Sequence, residues 1–161
     1  MQYTPLNLPP CPEIELRPSP DTPPGEPQLY DPLRRKWLVI TPEEWVRQHF
    51  VNYLIKFKGY PRELIANEIS LKLNGTSRRC DTVVFSRTLQ PLAVVEYKAP
   101  SVAITQKVFD QIARYNIVMQ APCLIVSNGL RHFCCRFDKA KGTYTFLREV
   151  PDYELIRSWC D

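Results

Sequence analysis

Residues 67–100 read NEISLKLNGTSRRCDTVVFSRTLQPLAVVEYKAP, and this stretch decides the fold. Two runs of alternating apolar and polar residues flank Asn74-Gly75, a strong short-range signal for a β-hairpin. A third strand, at an inner position of the same sheet, is indicated by the mostly apolar run that follows, LAVVEYKA. We therefore expect three consecutive strands within these residues.

Helices and further strands are predicted on both sides of this stretch. A helix is expected to follow Thr41, which can cap it, with Pro42 in the first turn and Glu44 completing a capping box. An apolar stripe along this helix indicates a face packed on the core: Trp45, Phe50, Val51, Leu54 and Ile55. After the third strand we expect an amphipathic helix at 105–119, strands within 121–129, 131–138 and 142–149, and a closing helix at 152–159. A strand–helix–strand step after a hairpin predicts an α/β fold, with a mixed β-sheet flanked by helices.

Most of the prolines lie in the first thirty-two residues. Proline donates no hydrogen bond to a ladder or a helix, so we interpret residues 1–32 as an extended, polyproline-like N-terminal tail. A tail laid over the body, or partly disordered, is favoured over a proline-rich ligand motif. Residues 33–161 are expected to form the globular domain, with a short strand or a hydrophobic staple at 34–40.

Length and composition exclude several classes of protein. A chain of 161 residues with 44% hydrophobic and 24% charged residues is typical of one soluble domain. The sequence shows no signal peptide, no apolar run long enough to span a bilayer and no GxxxxGK loop. The six cysteines form neither a CxxC pair nor a disulfide framework, so we expect reduced thiols and a cytoplasmic protein. The formal net charge of +4 is compatible with a polyanionic partner without requiring one.

Charged residues stand out in the three predicted strands. Glu96 and Lys98 project from one face of the third strand, because side chains two residues apart point the same way. The hairpin would bring Glu68 at the start of the first strand close to Asp81 early in the second, and Asp81 could then meet Glu96. Two adjacent carboxylates favour a hard divalent cation with oxygen ligands, and a neighbouring ammonium group suits phosphodiester hydrolysis. On spacing alone, however, a solvated ion pair between Glu96 and Lys98 is the better interpretation.

The order of several motifs along the chain is a more specific indication of function than the spacing of Glu96 and Lys98. Residues 34–137 carry an early Glu, a Gly and basic residues before an Asp, then EYKAP, and a Gln-x-x-x-Tyr pair on the next helix. This order resembles the N-terminal nuclease domain of type I restriction enzyme R subunits, here as a stand-alone domain, within the PD-(D/E)xK nuclease superfamily. One departure is that Cys80, where the family often has proline, precedes Asp81. The helicase and translocase portions have no counterpart in these residues, so ATP-driven restriction is not expected of this chain.

The resemblance implies a restriction-endonuclease-like sheet and a role for each matching residue. Asp81 and Glu96 would bind Mg²⁺ or Mn²⁺, with the Tyr97 carbonyl as a third ligand, and Lys98 would orient or activate the attacking water. Glu68 would lie in the outer shell of the metal or at a second metal site. Gln111 and Tyr115 share a helix face and would anchor the site, while core packing for Tyr115 and a solvated position for Gln111 remain the alternatives.

Basic residues near these motifs suggest contacts with nucleic-acid phosphates. Arg78, Arg79 and Arg87 are expected near the site, and Arg34 among others would extend the track. Basic residues on solvated faces are an equally good interpretation of each one taken separately.

The leading hypothesis is a Mg²⁺-dependent DNA endonuclease, with a possible homodimer or larger complex. The alternative is a module on the same fold that binds nucleic acid or a partner protein without cutting, and a third class is a subunit docked by its proline-rich tail.

Overall fold

The computed structural model describes residues 3–21 and 25–160. Two β-sheets and three α-helices make up this part of the chain. Three short antiparallel strands form the first sheet: β1 (Leu16–Pro18), β2 (Pro27–Asp31) and β3 (Lys36–Val39). The second sheet contains six strands in sequence order: β4 (Ile65–Leu73), β5 (Thr76–Phe85), β6 (Pro91–Tyr97), β7 (Cys123–Ser127), β8 (His132–Asp138) and β9 (Thr143–Leu147). The helices are α1 (Pro42–Phe57), α2 (Gln106–Met119) and α3 (Tyr153–Ser158), and a 3₁₀ turn at Arg62–Leu64 precedes β4.

The hairpin predicted at Asn74-Gly75 joins β4 to β5. Both residues have positive φ, 50° and 75°, as the favoured two-residue hairpin turn requires. Leu73 pairs with Thr76 directly across this turn. The prediction of the hairpin is confirmed.

The third predicted strand, β6, lies inside the six-stranded sheet. It pairs antiparallel with β5 and parallel with β7, and α2 makes the connection between β6 and β7. The sheet is therefore mixed, and the prediction of an α/β fold with flanking helices is confirmed. One apolar cluster packs around α1 and α3, including Phe50, Leu54 and Val95, and a second packs around α2, including Val94, Ile112 and Leu124.

The start of α1 follows the predicted capping chemistry only in part. The Glu44 amide donates to the Thr41 hydroxyl at 3.1 Å, and Pro42 occupies the first turn. The Glu44 carboxylate does not return to Thr41, whose amide donates to the Val39 carbonyl. It accepts hydrogen bonds from Arg34, Arg47 and Gln48 instead. The prediction that the Glu44 side chain completes a capping box is therefore wrong, because Arg34 and Arg47 bind its carboxylate instead.

The N-terminal segment is more structured than a polyproline-like tail. Strands β1 and β2 pair with each other, and Pro18 faces Pro27 at the end of the ladder, where a missing N–H is tolerated. The predicted boundary between residues 32 and 33 falls between β2 and β3, which pair with each other. Residues 1–2, 22–24 and 161 lie outside the described residues.

Part of this segment also packs on the six-stranded sheet. The Asn7 amide donates to the Gly129 carbonyl at 2.8 Å. A Cβ at Gly129 would lie 2.6 Å from a methyl carbon of Leu6, and the φ of Gly129 is +82°, so a residue without a side chain is required there. The expectation of a segment laid over the body therefore holds for these residues.

No helix within the described ranges is long and apolar enough to cross a membrane.

Candidate active site

Three carboxylates occupy matching positions in three neighbouring strands. In the β4–β5 pair, Asn67 faces Thr82 and Ile69 faces Cys80, so the position between them sets Glu68 against Asp81. In the β5–β6 pair, Thr82 faces Val95, so Asp81 comes next to Glu96. Regular pairing is interrupted at this row, and Glu68 has a φ of 61°, which is uncommon for a residue with a side chain. The site therefore lies where regular backbone pairing between β4 and β5 is interrupted.

Asp81 and Glu96 occupy neighbouring positions on adjacent strands, since Thr82 faces Val95. At this separation the negative charge of Asp81 opposes the ionisation of Glu96. The Tyr97 amide donates to Asp81 Oδ2 at 2.8 Å, so a backbone group that would otherwise continue the ladder fixes the Asp81 side chain. The convergence of these two carboxyl groups, expected from the hairpin and the following strand, is present in the structure.

Burial and mutual repulsion disfavour the charged forms of this pair. Burial, together with the charge of Asp81, raises the pKa of Glu96 to about 8. Burial likewise raises the pKa of Asp81 above its ordinary value, against the opposing effects of the Tyr97 amide and Arg47. Glu96 Oε2 is a buried oxygen without a hydrogen-bond partner among the described residues. Additional positive charge next to this pair would therefore stabilise its ionised form.

Lys98 lies beside Glu96 and is linked to α2. Its Nζ is 3.7 Å from Glu96 Oε1 and donates to Gln111 Oε1 at 3.5 Å. Gln111 in turn donates from Nε2 to the Tyr115 hydroxyl at 3.3 Å. The Gln-x-x-x-Tyr pair on α2 thus faces the same site as the carboxylates. Tyr115 is also part of the apolar cluster around α2, so its ring packs in the core while its hydroxyl reaches the site.

Glu68 is surrounded by arginines. Its Oε1 accepts from Arg47 at 2.8 Å, its Oε2 accepts from Arg79 at 2.8 Å, and Arg34 lies 3.9 Å away. Burial alone would raise the pKa of Glu68, but these hydrogen bonds and charges outweigh burial and lower it. Both oxygens of Glu68 are consequently paired, whereas Glu96 has Lys98 near Oε1 and no hydrogen-bond partner at Oε2 among the described residues.

Three predicted positions along the strands are wrong. Glu68 lies in the middle of β4 and Asp81 in the middle of β5, whereas both were expected near strand starts. The strands begin earlier than their alternating patterns indicate, because Ile65 and the residues Thr76–Arg79 pair as well. Lys98, expected within the third strand, directly follows the last residue of β6.

Arg47 is a site residue that the sequence reasoning missed. Its side chain is 5% exposed, lies on the apolar stripe of α1, and contacts Glu44, Glu68 and Asp81. A signal was present in the sequence, since Arg47 precedes Phe50 by three residues and Val51 by four, which places it on the buried face. An arginine at such a position requires buried anionic partners.

A chain of buried hydrogen bonds lies behind the carboxylates. Asn67 Nδ2 donates to Asp31 Oδ2 at 3.2 Å, and Thr82 donates to Asn67 Oδ1 at 2.7 Å. The Tyr97 hydroxyl donates to Thr82 Oγ1 at 3.0 Å. Because the amide of the same Tyr97 holds Asp81, this chain connects the β2–β3 hairpin to the site.

The predicted phosphate contacts separate into near and distant residues. Arg78 and Arg79 are exposed near the row of carboxylates, in β5. Arg87 is in the β5–β6 turn, six positions along the chain from Asp81, which corresponds to ~20 Å in an extended strand. It lines a cavity of about 530 Å³ with Glu154 and Arg157, so the expectation that it lies near the site is wrong.

Arg34 was expected to extend an exposed basic track, and this expectation is wrong too. Its guanidinium forms ion pairs with Asp31 and Glu44 and is largely buried. Buried carboxylates on β2 and α1 take it away from solvent.

The donors at the site suit a hard cation. Asp81 and Glu96 offer carboxylate oxygens, and the orphaned Glu96 Oε2 supplies an unused acceptor. No group of three or more His, Cys, Asp or Glu side chains able to hold a metal occurs within residues 3–21 and 25–160. A metal at this pair would therefore need further oxygen donors from the backbone, water or a bound phosphate.

Comparison with known proteins gives one family and one fold. The profile of the family described as "Type I restriction enzyme R protein N terminus" matches residues 42–151. A solved fragment from Vibrio vulnificus YJ016, described as an HsdR subunit of a type I restriction enzyme, superposes with a TM-score of 0.55 at 19% identity. The match covers 74% of this chain and 25% of that chain, so it spans about a quarter of the solved protein. No curated protein is similar enough to the chain to count as a match.

Proposed function

The chain belongs to the family of type I restriction enzyme R protein N termini, and from that premise we propose that it is a metal-dependent endonuclease acting on DNA. The observation that carries the proposal is the placement of Asp81 and Glu96 at neighbouring positions of β5 and β6, with Glu96 Oε2 buried and without a hydrogen-bond partner among the described residues and Lys98 Nζ 3.7 Å from the other oxygen. A core without a catalytic role gains nothing from two carboxyl groups pressed together.

Asp81 and Glu96 would hold Mg²⁺ or Mn²⁺ through side-chain oxygens, with the Tyr97 carbonyl as the proposed third donor. When bound, the cation supplies Lewis-acid stabilisation of a phosphate oxygen and makes a water molecule more acidic. Cationic charge at this position would favour the ionised form of Glu96, which burial and the charge of Asp81 otherwise disfavour.

Lys98 has the position expected of a group that orients water or stabilises negative charge on phosphorus. Its ammonium group has three donors, of which Gln111 Oε1 accepts one at 3.5 Å. Gln111 is itself held by the Tyr115 hydroxyl. We propose that Gln111 and Tyr115 restrict the side-chain conformation of Lys98 and keep its ammonium group beside Glu96.

Phosphates of the substrate would be bound on the exposed surface of β5. Arg78 and Arg79 are exposed there, and the segment Ile69–Cys80 contains three cationic residues and no acidic one. Contacts of this kind position a duplex without recognising its sequence. Cutting both strands with a single site of this size would require two copies of the chain or a larger complex.

Nicking of supercoiled plasmid in Mg²⁺ and in Mn²⁺ tests the proposal. The wild type is expected to nick, whereas Asp81→Asn and Glu96→Gln, which preserve side-chain volume, are expected to lose activity. Glu154→Gln is a matched control, because Glu154 forms an ion pair with Arg157 on α3, beside the distant cavity. Equal nicking by the wild type and both site variants would refute the proposal.

A non-cleaving binding module on the same fold is the second candidate. It is favoured by the buried Arg47, a protein cation 3.4 Å from Asp81 Oδ1, and by the lack of a third acidic ligand among the described residues. Calorimetric titration with Mn²⁺ separates the two candidates, because a module of this kind has no need to bind the ion.

A further inference from the structure

Arg47 stands at the centre of the acidic cluster and has no place in the proposed chemistry. Its Nη1 donates to Glu44 at 2.9 Å, and its Nη2 contacts Glu68 at 2.8 Å and Asp81 at 3.4 Å. The guanidinium carbon lies 5.7 Å from the centre of the Tyr97 ring. A buried arginine with three carboxylate partners on three elements is held in one orientation.

Glu68 has both of its oxygens engaged by arginines. Arg47 binds Oε1 and Arg79 binds Oε2, each at 2.8 Å. A divalent cation approaching Glu68 would have to displace one of these guanidinium groups and would be repelled by the other. Glu68 is therefore a poor metal ligand in this arrangement, although it belongs to the same row as Asp81 and Glu96.

Asp81 and Glu96, in contrast to Glu68, are not fully engaged by arginines. Glu96 Oε2 has no hydrogen-bond partner within the described part of the chain, and Asp81 Oδ2 accepts from one backbone amide. Arg47 approaches this pair only at Asp81 Oδ1, at the longest of its three carboxylate contacts. Lys98 Nζ lies 3.7 Å from Glu96 Oε1, so the oxygen of this pair that remains available to a metal ion is Glu96 Oε2.

We propose that Arg47 is a positioning residue for the Asp81–Glu96 pair, and that Glu68 is the anchor of Arg47 and not a ligand of the metal. Arg47 orients Asp81 and draws Glu68 away, so two carboxylates, not three, face the cation. The part that concerns the metal rests on the proposed function, whereas the anchoring of Arg47 by Glu68 does not.

Mn²⁺ calorimetry on the full chain tests the ligand assignment. We expect Glu68→Gln to bind one ion with a dissociation constant within about threefold of the wild type, since a neutral amide still accepts a hydrogen bond from Arg47. Asp81→Asn should weaken binding by more than about 100-fold, because even groups that only orient ligands contribute 10–100-fold. Glu154→Gln controls for the loss of an acidic side chain elsewhere. Loss of affinity in Glu68→Gln equal to that in Asp81→Asn would overturn the assignment.

Removal of Arg47 gives a readout that a merely structural role would not change. In Arg47→Met, Glu68 Oε1 loses its nearest partner while Arg79 still binds Oε2. The cluster also loses a positive charge, so Mn²⁺ should bind at least as tightly as in the wild type. Adding Glu68→Gln to Arg47→Met should then weaken Mn²⁺ binding at least fivefold, whereas the same change has little effect when Arg47 is present. Equal effects of Glu68→Gln in both backgrounds would overturn the positioning role.

A melting-temperature cycle in EDTA tests the anchor without metal. Arg47→Met and Glu68→Gln should each lower the melting temperature, and the double variant should lose clearly less than the sum of the two losses, because the residues share one contact. Additive losses would overturn the anchor. Failure of the wild type to bind Mn²⁺ would overturn the proposed function, and the melting cycle would then decide the anchoring of Arg47 by itself.

Discussion

Two buried regions of the same sheet are built in opposite ways. Beneath α2, the sheet is apolar, and Val94, Leu124 and Ile112 are almost completely buried against one another. Beside the first half of α1, the same sheet meets buried charges, including Asp31 and Arg47. Burial of the apolar region stabilises the fold by roughly 25 cal/mol per Å², whereas buried ion pairs offset their desolvation only with good geometry. The charged region therefore contributes less to the stability of the fold than the apolar region does.

The largest effect on stability is expected from creating a cavity in the apolar region beneath α2. Leu124 is 1% exposed at the centre of the cluster around α2. We expect Leu124→Ala to lower the free energy of unfolding by about 2–5 kcal/mol, through lost transfer energy and a residual cavity, as measured by urea denaturation. Leu155→Ala, at a position 49% exposed on α3, is the control and should change it by less than ~0.5 kcal/mol. Similar losses in both variants would contradict the view of Leu124 as part of a close-packed core.

A second test separates catalysis from stability within the charged region. Lys98→Met should reduce plasmid nicking by roughly 10²–10³-fold, the range seen when a single donor to developing negative charge is removed. Binding of Mn²⁺ should be retained, since the substitution removes a positive charge from beside Glu96. Lys107→Met, at an exposed position on α2, is the matched control. If nicking by Lys98→Met equals that of the control, Lys98 is only the partner of Glu96 in an ion pair.

The third test concerns pH and the metal-free protein. The folded-state pKa of Glu96 is raised to about 8 by burial and by Asp81, so the folded protein binds a proton that the unfolded chain releases near pH 4.5. This contribution to stability is complete below pH 4.5 and is lost as the pH rises through 8. The pKa of Asp81 is raised as well, so it acts in the same direction.

Melting temperatures in EDTA between pH 6.5 and 8.5 provide the measurement. Burial lowers the pKa values of His49 and His132 from 6.5, so their opposing contribution still increases just above pH 6.5 and is nearly complete by about pH 7.5. The comparison therefore rests on the upper half of the range. The wild type should lose stability across the range, and Glu96→Gln should lose less and be more stable at pH 8.5. A Glu96→Gln profile parallel to that of the wild type would show that Glu96 is already ionised in the folded protein.

The smallest expected effect is on the salt dependence of DNA binding, and it distinguishes Arg78 in the first half of β5 from Arg87 just beyond its end. Arg78→Gln should reduce the dependence of DNA binding on salt, lowering the slope of log K against log salt by about 0.9 for one lost phosphate contact. Arg87→Gln should leave the slope unchanged, because Arg87 is in the distant β5–β6 turn. Binding measured by fluorescence anisotropy at several salt concentrations makes the comparison, and an equal change in slope would place DNA at both ends of the sheet.

The parts of the site that the sequence predicted are those joined by short segments of chain. Asp81 and Glu96 are brought together by one hairpin turn and one following strand, and Gln111 follows on the next helix. Arg47 and Asp31 reach the same cluster from separate elements, 34 residues from Asp81 in the case of Arg47. Periodicity placed Arg47 on a buried face but gave no information about which acidic groups would face it.

Local sequence determined the hairpin at Asn74-Gly75, the inner strand β6 and the order of elements, because turn geometry and apolar periodicity act over a few residues at a time. Tertiary structure alone decided that Glu68 is held by arginines while Glu96 keeps an oxygen without a partner. The physical reason is that the state of a buried carboxylate depends on every charge within a few ångströms. Two of the arginines around Glu68, Arg47 on helix α1 and Arg34 between β2 and β3, come from elements that local patterns in the sequence do not connect to this row of strands.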